Sequence, residues 1–284
     1  MTPALNALTF DVEDWNQLVE WKLTGTMPEC SSLVVGLTHD ILETLSRHNV
    51  RATFFVLAHV ARAFPALVRD IHAASHEVGS HGWSHRLVYR QTRDEFASET
   101  RDAKALIEDV IGAPIAGYRA AEFSITDASR WALDVLAETG FMYDSSIFPI
   151  AGRRYGIPDA PLAAHRVRTA SGAEITELPM TVVEWGSRRL PVGGGGYFRL
   201  LPYAATRAAI ARVNASGRPA VLYFHPYEFS EARLSPRVTA WRQYLASGRY
   251  SIFHNFNRRT NRKRFERLLA DCRLVPAVEI VQRG

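Results

Sequence analysis

Short apolar runs alternate along this chain with longer segments in which apolar residues return every three or four positions. Residues 7–10, 52–57, 78–80, 116–119, 141–144 and 220–225 are short and rich in Val, Leu, Phe and Tyr, and read as buried strands. Residues 33–48, 61–75, 92–111, 127–139, 202–215 and 261–270 carry the helical period. Gly112-Ala113-Pro114 and Gly140 supply helix stops. Strand and helix in alternation predict a mostly parallel sheet wrapped by helices. Between Pro149 and Pro191 the texture changes to Pro, Gly and short strand-like pieces such as residues 174–179, which reads as an inserted hairpin region. Residues 1–284 are expected to form one domain, with a core over about 5–229 and a helical C-terminal extension over about 230–284.

The polar residues of interest share one position in this pattern. Asp11, His81, Arg119, Asp144 and His225 each stand at the carboxyl end of a predicted strand. In parallel α/β folds that end forms the ligand-binding face. His81 and His85 are four apart, and a helical turn there would put both rings on one face, where they could share a metal ion. A hydrolytic metal needs a third protein ligand and an open position for water. The segment holding Asp11, Glu13 and Asp14 offers the carboxylate. Each residue also has a structural reading. The three acids could cap the following helix. Arg119 could pair with a structural carboxylate, Asp144 could form a turn, and His225 could be a packed strand terminus.

Composition narrows the class. The 284 residues are 47% apolar, ordinary for a globular chain, and hold no run long enough to cross a membrane. The start lacks a basic segment followed by an apolar stretch, so a cytoplasmic location is expected, at most at the inner face of a membrane. Cys30 and Cys272 are far apart and read as free thiols. The formal charge is +5, densest over residues 258–267, a region that reads as a solvated helix face or a surface for an acidic glycan or lipid headgroups. Gly193–Gly196 lacks the Lys-Ser/Thr ending of a phosphate loop and reads as a close backbone approach, to a substrate or in a tight reversal.

Together these residues resemble the polysaccharide deacetylases of carbohydrate esterase family 4, which share the NodB homology domain. Thr9-Phe10-Asp11-Val12-Glu13-Asp14 is similar to the first family motif, usually Thr-Phe-Asp-Asp-Gly. Ser80-His81-Gly82-Trp83-Ser84-His85 resembles the second, and Gly117-Tyr118-Arg119-Ala120-Ala121-Glu122-Phe123 the third. Tyr143-Asp144-Ser145-Ser146 and Leu222-Tyr223-Phe224-His225 resemble the fourth and fifth. The Asp-Val-Glu-Asp variant and His-Pro-Tyr-Glu-Phe look closer to a branch found with exosortase and exopolysaccharide systems. The fold implied is a distorted (β/α) barrel.

The resemblance implies a metal-dependent hydrolase that removes N-acetyl groups from amino sugars, giving acetate and a free amine. It implies Zn²⁺ held by His81, His85 and a carboxylate, Asp14 by side-chain type or Glu13 as the alternative. Asp11 becomes the base, with Arg119 holding it ionised, and His225 the acid, tuned by Asp144. Trp83, Glu122, Phe123, Gly195, Tyr197 and Tyr227 become candidate substrate contacts. Ala121 and Glu122 stand where the family has Pro and Tyr. The expected partner is an N-acetylated glycan, or a lipid-linked or small amino-sugar precursor, with peripheral membrane contact and no nucleic acid. Two other readings are a metal-independent cyclic amide or imide hydrolase on the same scaffold and a non-catalytic glycan-binding relative.

Overall fold

The computed structural model describes residues 4–25, 27–152, 154–170, 172–186, 188–235, 248, 251–252 and 254–283. Its central strand, β1 (Leu5–Val12), is longer than the apolar run that announced it and is buried at every position after the first. It pairs in parallel with β2 (Thr53–Val56) on one side and with β10 (Val221–Phe224) on the other. The sheet continues through β3 (Glu77–Ser80), β4 (Gly117–Tyr118) and β5 (Tyr143–Asp144), all parallel. A hairpin from the predicted insertion, β6 (His165–Arg168) and β7 (Glu174–Glu177), extends it, with β7 parallel to β5. The strand order is β10-β1-β2-β3-β4-β5-β7-β6, and the late β11 (Arg273–Val275) joins the start of β1. A separate hairpin is made by β8 (Val182–Trp185) and β9 (Arg188–Pro191).

Among the described residues no regular ladder joins β10 to β6, so the barrel-like sheet does not close by strand pairing. Irregular backbone fills that side. Thr181 O accepts from Val192 N at 3.3 Å, and Gly193 O accepts from Tyr223 N at 2.7 Å. Gly195 N donates to Tyr223 O at 2.8 Å. The glycine run therefore makes a close approach to β10. A Cβ on Gly194, whose φ is +132°, would lie 2.0 Å from Tyr223 O.

Each helix the apolar period predicts is present, with one split in two and one opening on a 3₁₀ turn, and three more are added at residues 15–24, 196–200 and 277–281. α1 (Trp15–Thr24) precedes α2 (Leu33–Arg47). The helix expected over 61–75 is two, α3 (Ala58–Ala63) and α4 (Pro65–Ala73), because Pro65 lacks the N–H a continuing helix needs and starts a new one instead. α5 (Arg93–Ile111) is bounded as predicted, by a Thr92–Glu95 capping box and a left-handed Gly112. The next helix opens with a 3₁₀ turn, Asp127–Ser129, before α6 (Trp131–Glu138). α7 (Gly196–Leu200), α8 (Tyr203–Ala215), α9 (Asn261–Asp271) and α10 (Ala277–Val281) complete the set described.

The C-terminal extension is part of the core. Phe265 of α9 meets Phe224 at 5.2 Å and Phe10 at 5.9 Å, and Phe10 stacks on Phe54 at 4.9 Å. Emptying such a site costs about 3–5 kcal/mol, so Phe265 anchors the extension. The basic run is not simply a solvated face. Arg258 is buried and donates to Tyr227 O and Ser230 O, and Arg264 donates to Arg199 O and Leu201 O. Arginines in this run tie carbonyls of the preceding loops to the late helix.

The two ends of the sheet hold different chemistry. At the amino end, half-buried Glu77 accepts from Tyr143 Oη at 2.8 Å and Val278 N at 3.0 Å, and also from Thr53 Oγ1. That carboxylate pins α10 to the sheet. The carboxyl end carries the site.

Candidate active site and metal centre

Register brings the predicted residues together. Phe10 faces Phe224 across β1 and β10, which sets Asp11 beside His225. Ser80 faces Tyr118, which sets His81 beside Arg119. Asp11 and Glu13 are two apart on an extended segment and turn to the same side, into the cleft. Asp14 does not. Its carboxylate accepts from Asn16 N at 3.4 Å, Ser31 N at 2.9 Å and Ser31 Oγ at 3.0 Å, as the N-cap of α1. The choice of Asp14 over Glu13 by side-chain type is thus corrected: strand alternation decides which carboxylate faces the histidines.

Glu13, His81 and His85 are all buried, and their ligand atoms lie within 4.8 Å of one another. Glu13 Oε2 is 2.7 Å from His85 Nε2 and 3.8 Å from His81 Nε2. The histidines do not ride a helix. They follow β3 on a loop where Gly82 has φ +80° and His85 φ +59°, so loop geometry rather than helical spacing converges them. His81 Nδ1 donates to Arg119 O at 2.8 Å, since a carbonyl can only accept. That bond leaves the Nε2 lone pair toward the cluster, an arrangement typical of histidine ligands. Burial lowers the pKa of His81, favouring the neutral ring. Burial opposes ionisation of Glu13, yet the imidazoles of His85, His225 and His81 outweigh it and hold the carboxyl well below its usual range. Beyond the Nε2 atoms of His85 and His81, buried Glu13 Oε2 has no hydrogen-bond partner among the described residues. One carboxylate oxygen and two ring nitrogens facing one point suit a divalent ion such as Zn²⁺.

Asp11 lies beside this cluster, 2% exposed. Arg119, fully buried, donates from Nη1 to Asp11 Oδ1 at 2.8 Å and to Thr9 Oγ1 at 2.6 Å. Its other edge donates to Ser145 O and Ser145 Oγ, and its guanidinium lies 4.3 Å from the Phe55 ring centroid. His225 faces the same space, with Nε2 3.4 Å from Glu13 Oε1 and 4.0 Å from Asp11 Oδ2. Burial disfavours its charged form, but Glu228, Glu13 and Asp11 outweigh burial and push its pKa up to about 9. A cation held by Glu13 would weaken that contribution.

The partner of His225 is Glu228, not Asp144. Glu228 Oε1 is 3.7 Å from His225 Nδ1 and 3.4 Å from Arg199 Nε, all three side chains being largely buried. Asp144 instead accepts from Ser146 N and Oγ and shares a buried pocket of charge with Glu177. Its strand β5 stands beyond β4, several strands from β10. Glu228 carried a signal in the sequence, a carboxylate three residues after a strand-end histidine.

The cleft has a volume of about 160 Å³ and is walled in part by Glu122, Phe123 and Tyr227, three of the expected substrate contacts. Glu122 forms ion pairs with Lys22 and Arg154 at its rim. Glu122 and Phe123 both hold left-handed backbone, φ +50° and +54°, which costs about 1–3 kcal/mol per residue. Tyr197 lines an adjoining cavity. Trp83 does not line the cleft: it packs on His59 and Arg62, with its ring on the other side of the histidine loop. Gly195 is buried behind Tyr223.

Residues 5–143 match the family described as polysaccharide deacetylase, and residues 145–282 match one described as a domain of unknown function, DUF3473. The second match contains His225 and Glu228, so it completes the cleft that the first begins. The chain is 37% identical over 77 residues to the peptidoglycan-N-acetylglucosamine deacetylase PgdA of Listeria monocytogenes, covering 27% of this chain and 16% of that protein. It is 28% identical over 107 residues to a peptidoglycan deacetylase of Helicobacter pylori, covering 38% and 36%. The chain thus spans well under half the length of these curated relatives. Among solved structures it resembles a family 4 carbohydrate esterase from Streptomyces lividans in complex with acetate, at TM-score 0.53 and 17% identity over 99% of this chain and 95% of that one. It also resembles Puue allantoinase, at TM-score 0.60 and 14% identity over 98% and 89%. At those identities the structural likeness speaks to the fold alone. Residues 5–143, which bring Asp11, Glu13, His81, His85 and Arg119 to one cleft, thus make up a polysaccharide deacetylase domain, of the NodB-like type of carbohydrate esterase family 4.

Proposed function

We propose that this protein is a metal-dependent N-deacetylase of an N-acetylated glycan or its amino-sugar precursor. The observation that carries the reading is the convergence of Glu13, His81 and His85 on one point, with Asp11 and His225 alongside. Zn²⁺ is the preferred ion, held by those three residues, and when bound it would supply Lewis acidity and a water of lowered pKa.

The rest of the chemistry falls to the chain. Asp11, held in place by its bond to Arg119, accepts the proton of the attacking water as that water adds to the acetamide carbonyl. Collapse of the tetrahedral centre breaks the C–N bond, and the amine nitrogen leaves with a proton from His225. Glu228 keeps His225 charged for that step. Phe123 and Tyr227 wall the cleft and limit water access. A general acid or base so placed contributes about 10²–10⁴ in rate. Both histidines and a carboxylate are retained here, which favours this reading over a metal-independent cyclic amide hydrolase.

The test is acetate release by zinc-loaded protein across N-acetylated glycans, with cyclic amides as a parallel panel and the His81→Ala, His85→Ala double variant as control. Acetate release that survives in the double variant, or ring opening with no acetate release, contradicts the proposal.

A further inference from the structure

The chain supports its two histidines differently. His81 Nδ1 donates to Arg119 O at 2.8 Å, which fixes that ring. His85 turns Nε2 to Glu13 Oε2, while its Nδ1 is buried with no hydrogen-bond partner among the described residues. Behind the histidine loop lies a pocket of about 10 Å³, which His85, Gln91, Thr100 and Tyr118 help to line. His85 lines the catalytic cleft as well, so its ring stands between the two spaces. A second orphan atom belongs to the same pocket. Gln91 Nε2 donates to Arg86 O at 3.3 Å, and because a carbonyl only accepts, the amide oxygen must point away from it. That Oε1 is also buried with no hydrogen-bond partner among the described residues.

We propose that one buried water in this pocket bridges His85 Nδ1 to Gln91 Oε1, and that Gln91 is thereby a positioning residue for the metal-binding ring of His85. The bridge stands on the pocket and its two orphan atoms; its bearing on a metal rests on the deacetylase reading. A polar pocket of roughly 10–15 Å³ holds one water. Water also suits the pair chemically. Gln91 Oε1 only accepts, whereas His85 Nδ1 donates or accepts according to its tautomer. A water gives one proton to Gln91 Oε1 and still either donates to a bare Nδ1 or accepts from Nδ1–H. Thr100 and Tyr118 carry hydroxyls on the same pocket, so the two to four polar partners a buried water needs are at hand. Once Nε2 gives its lone pair to a metal, the ring proton belongs on Nδ1. An Nδ1–H with an acceptor holds the ring plane and makes Nε2 the better ligand. His81 obtains this from a carbonyl directly, and His85 obtains it through the water. Gln91 is firmly placed for the task. It closes the 3₁₀ turn Val88–Arg90, with its N–H bonded to Val88 O at 3.0 Å, and α5 begins at Arg93.

The test has two readouts on the full chain. A high-resolution crystal structure of the metal-free wild type is expected to show one water within hydrogen-bond distance of both atoms. Density bonded to neither atom, or a direct bond between His85 and Gln91, overturns the bridge. Zinc affinity, read by competition with a chelating dye, is expected to weaken about 10–100-fold in Gln91→Leu, which fills the place of the amide without an acceptor. Gln91→Glu keeps an acceptor but loses the donor to Arg86 O, and should bind zinc as the wild type does. Unchanged affinity in Gln91→Leu overturns the positioning role. So does an equal loss in both variants, which assigns the effect to the Arg86 bond instead. Urea midpoints of the metal-free variants separate a folding defect from a zinc defect, and the wild-type structure decides the bridge if Gln91→Leu does not fold. A wild type that holds the water but binds no zinc sinks the metal reading while the bridge stands. Zinc binding without the water sinks the bridge alone.

Discussion

Removing the Asp14 side chain should cost stability and leave metal binding intact. Asp14 is 1% exposed and accepts three hydrogen bonds, from Asn16 N, Ser31 N and Ser31 Oγ. Losing an N-cap costs about 1 kcal/mol. Losing a hydrogen bond to a charged acceptor costs a further 1.5–3 kcal/mol or so. Burial raises the pKa of Asp14, so part of that gain already offsets desolvation. The net for Asp14→Ala is therefore about 2–3 kcal/mol. Urea unfolding of metal-free protein, followed by tryptophan fluorescence, measures it, and Trp15 at the start of α1 places a reporter next to the change. Zinc affinity of the same variant, by competition with a chelating dye, should match the wild type. Glu13→Gln should reverse the pattern, with stability nearly kept and zinc affinity lost. An Asp14→Ala protein of wild-type stability that no longer binds zinc would refute the assignment.

Further outcomes follow from the charges around the site. Glu228→Gln removes the carboxylate facing His225 Nδ1, so the pKa of His225 falls and the alkaline limb of the kcat profile moves to lower pH; an unmoved limb would show that Glu228 does not act on His225. Burial raises the carboxyl pKa values of Asp144 and Glu177, whose carboxyl groups interact, so the folded state holds a proton that the unfolded chain releases. Their contribution to stability is present below the ordinary carboxylate range and is lost as pH rises through it toward the raised values. Glu177→Gln removes that loss, and urea midpoints should show the variant gaining on the wild type as pH rises above the ordinary carboxylate range. Phe265→Ala should loosen the extension, at about 3–5 kcal/mol by the same unfolding assay.

The strand ends were legible because parallel sheets place their chemistry there, and Asp11, His81, Arg119 and His225 needed only correct strands to be found. What sequence spacing misjudged was local. His81 and His85 read as helical neighbours, but they converge through left-handed backbone at Gly82 and His85, which spacing does not encode. Asp14 and Glu13 differ by one position, and on an extended segment one position reverses the facing side. Asp144 resembled the partner of His225 by motif order, yet β1 through β4 stand between its strand and β10. Glu228 lay three residues from His225 in plain view and took that role through a short 3₁₀ turn. Buried arginines such as Arg258 were misread because the carbonyls that receive them come from distant loops.

The most direct measurement is acetate release from an N-acetylated glycan by chelator-stripped protein before and after zinc is restored, for the wild type and Glu13→Gln side by side. Stripped wild type should be inactive and recover with zinc, while Glu13→Gln should stay inactive at the same zinc concentration. Activity in the stripped wild type, or full recovery in Glu13→Gln, would contradict a metal centre built on Glu13, His81 and His85.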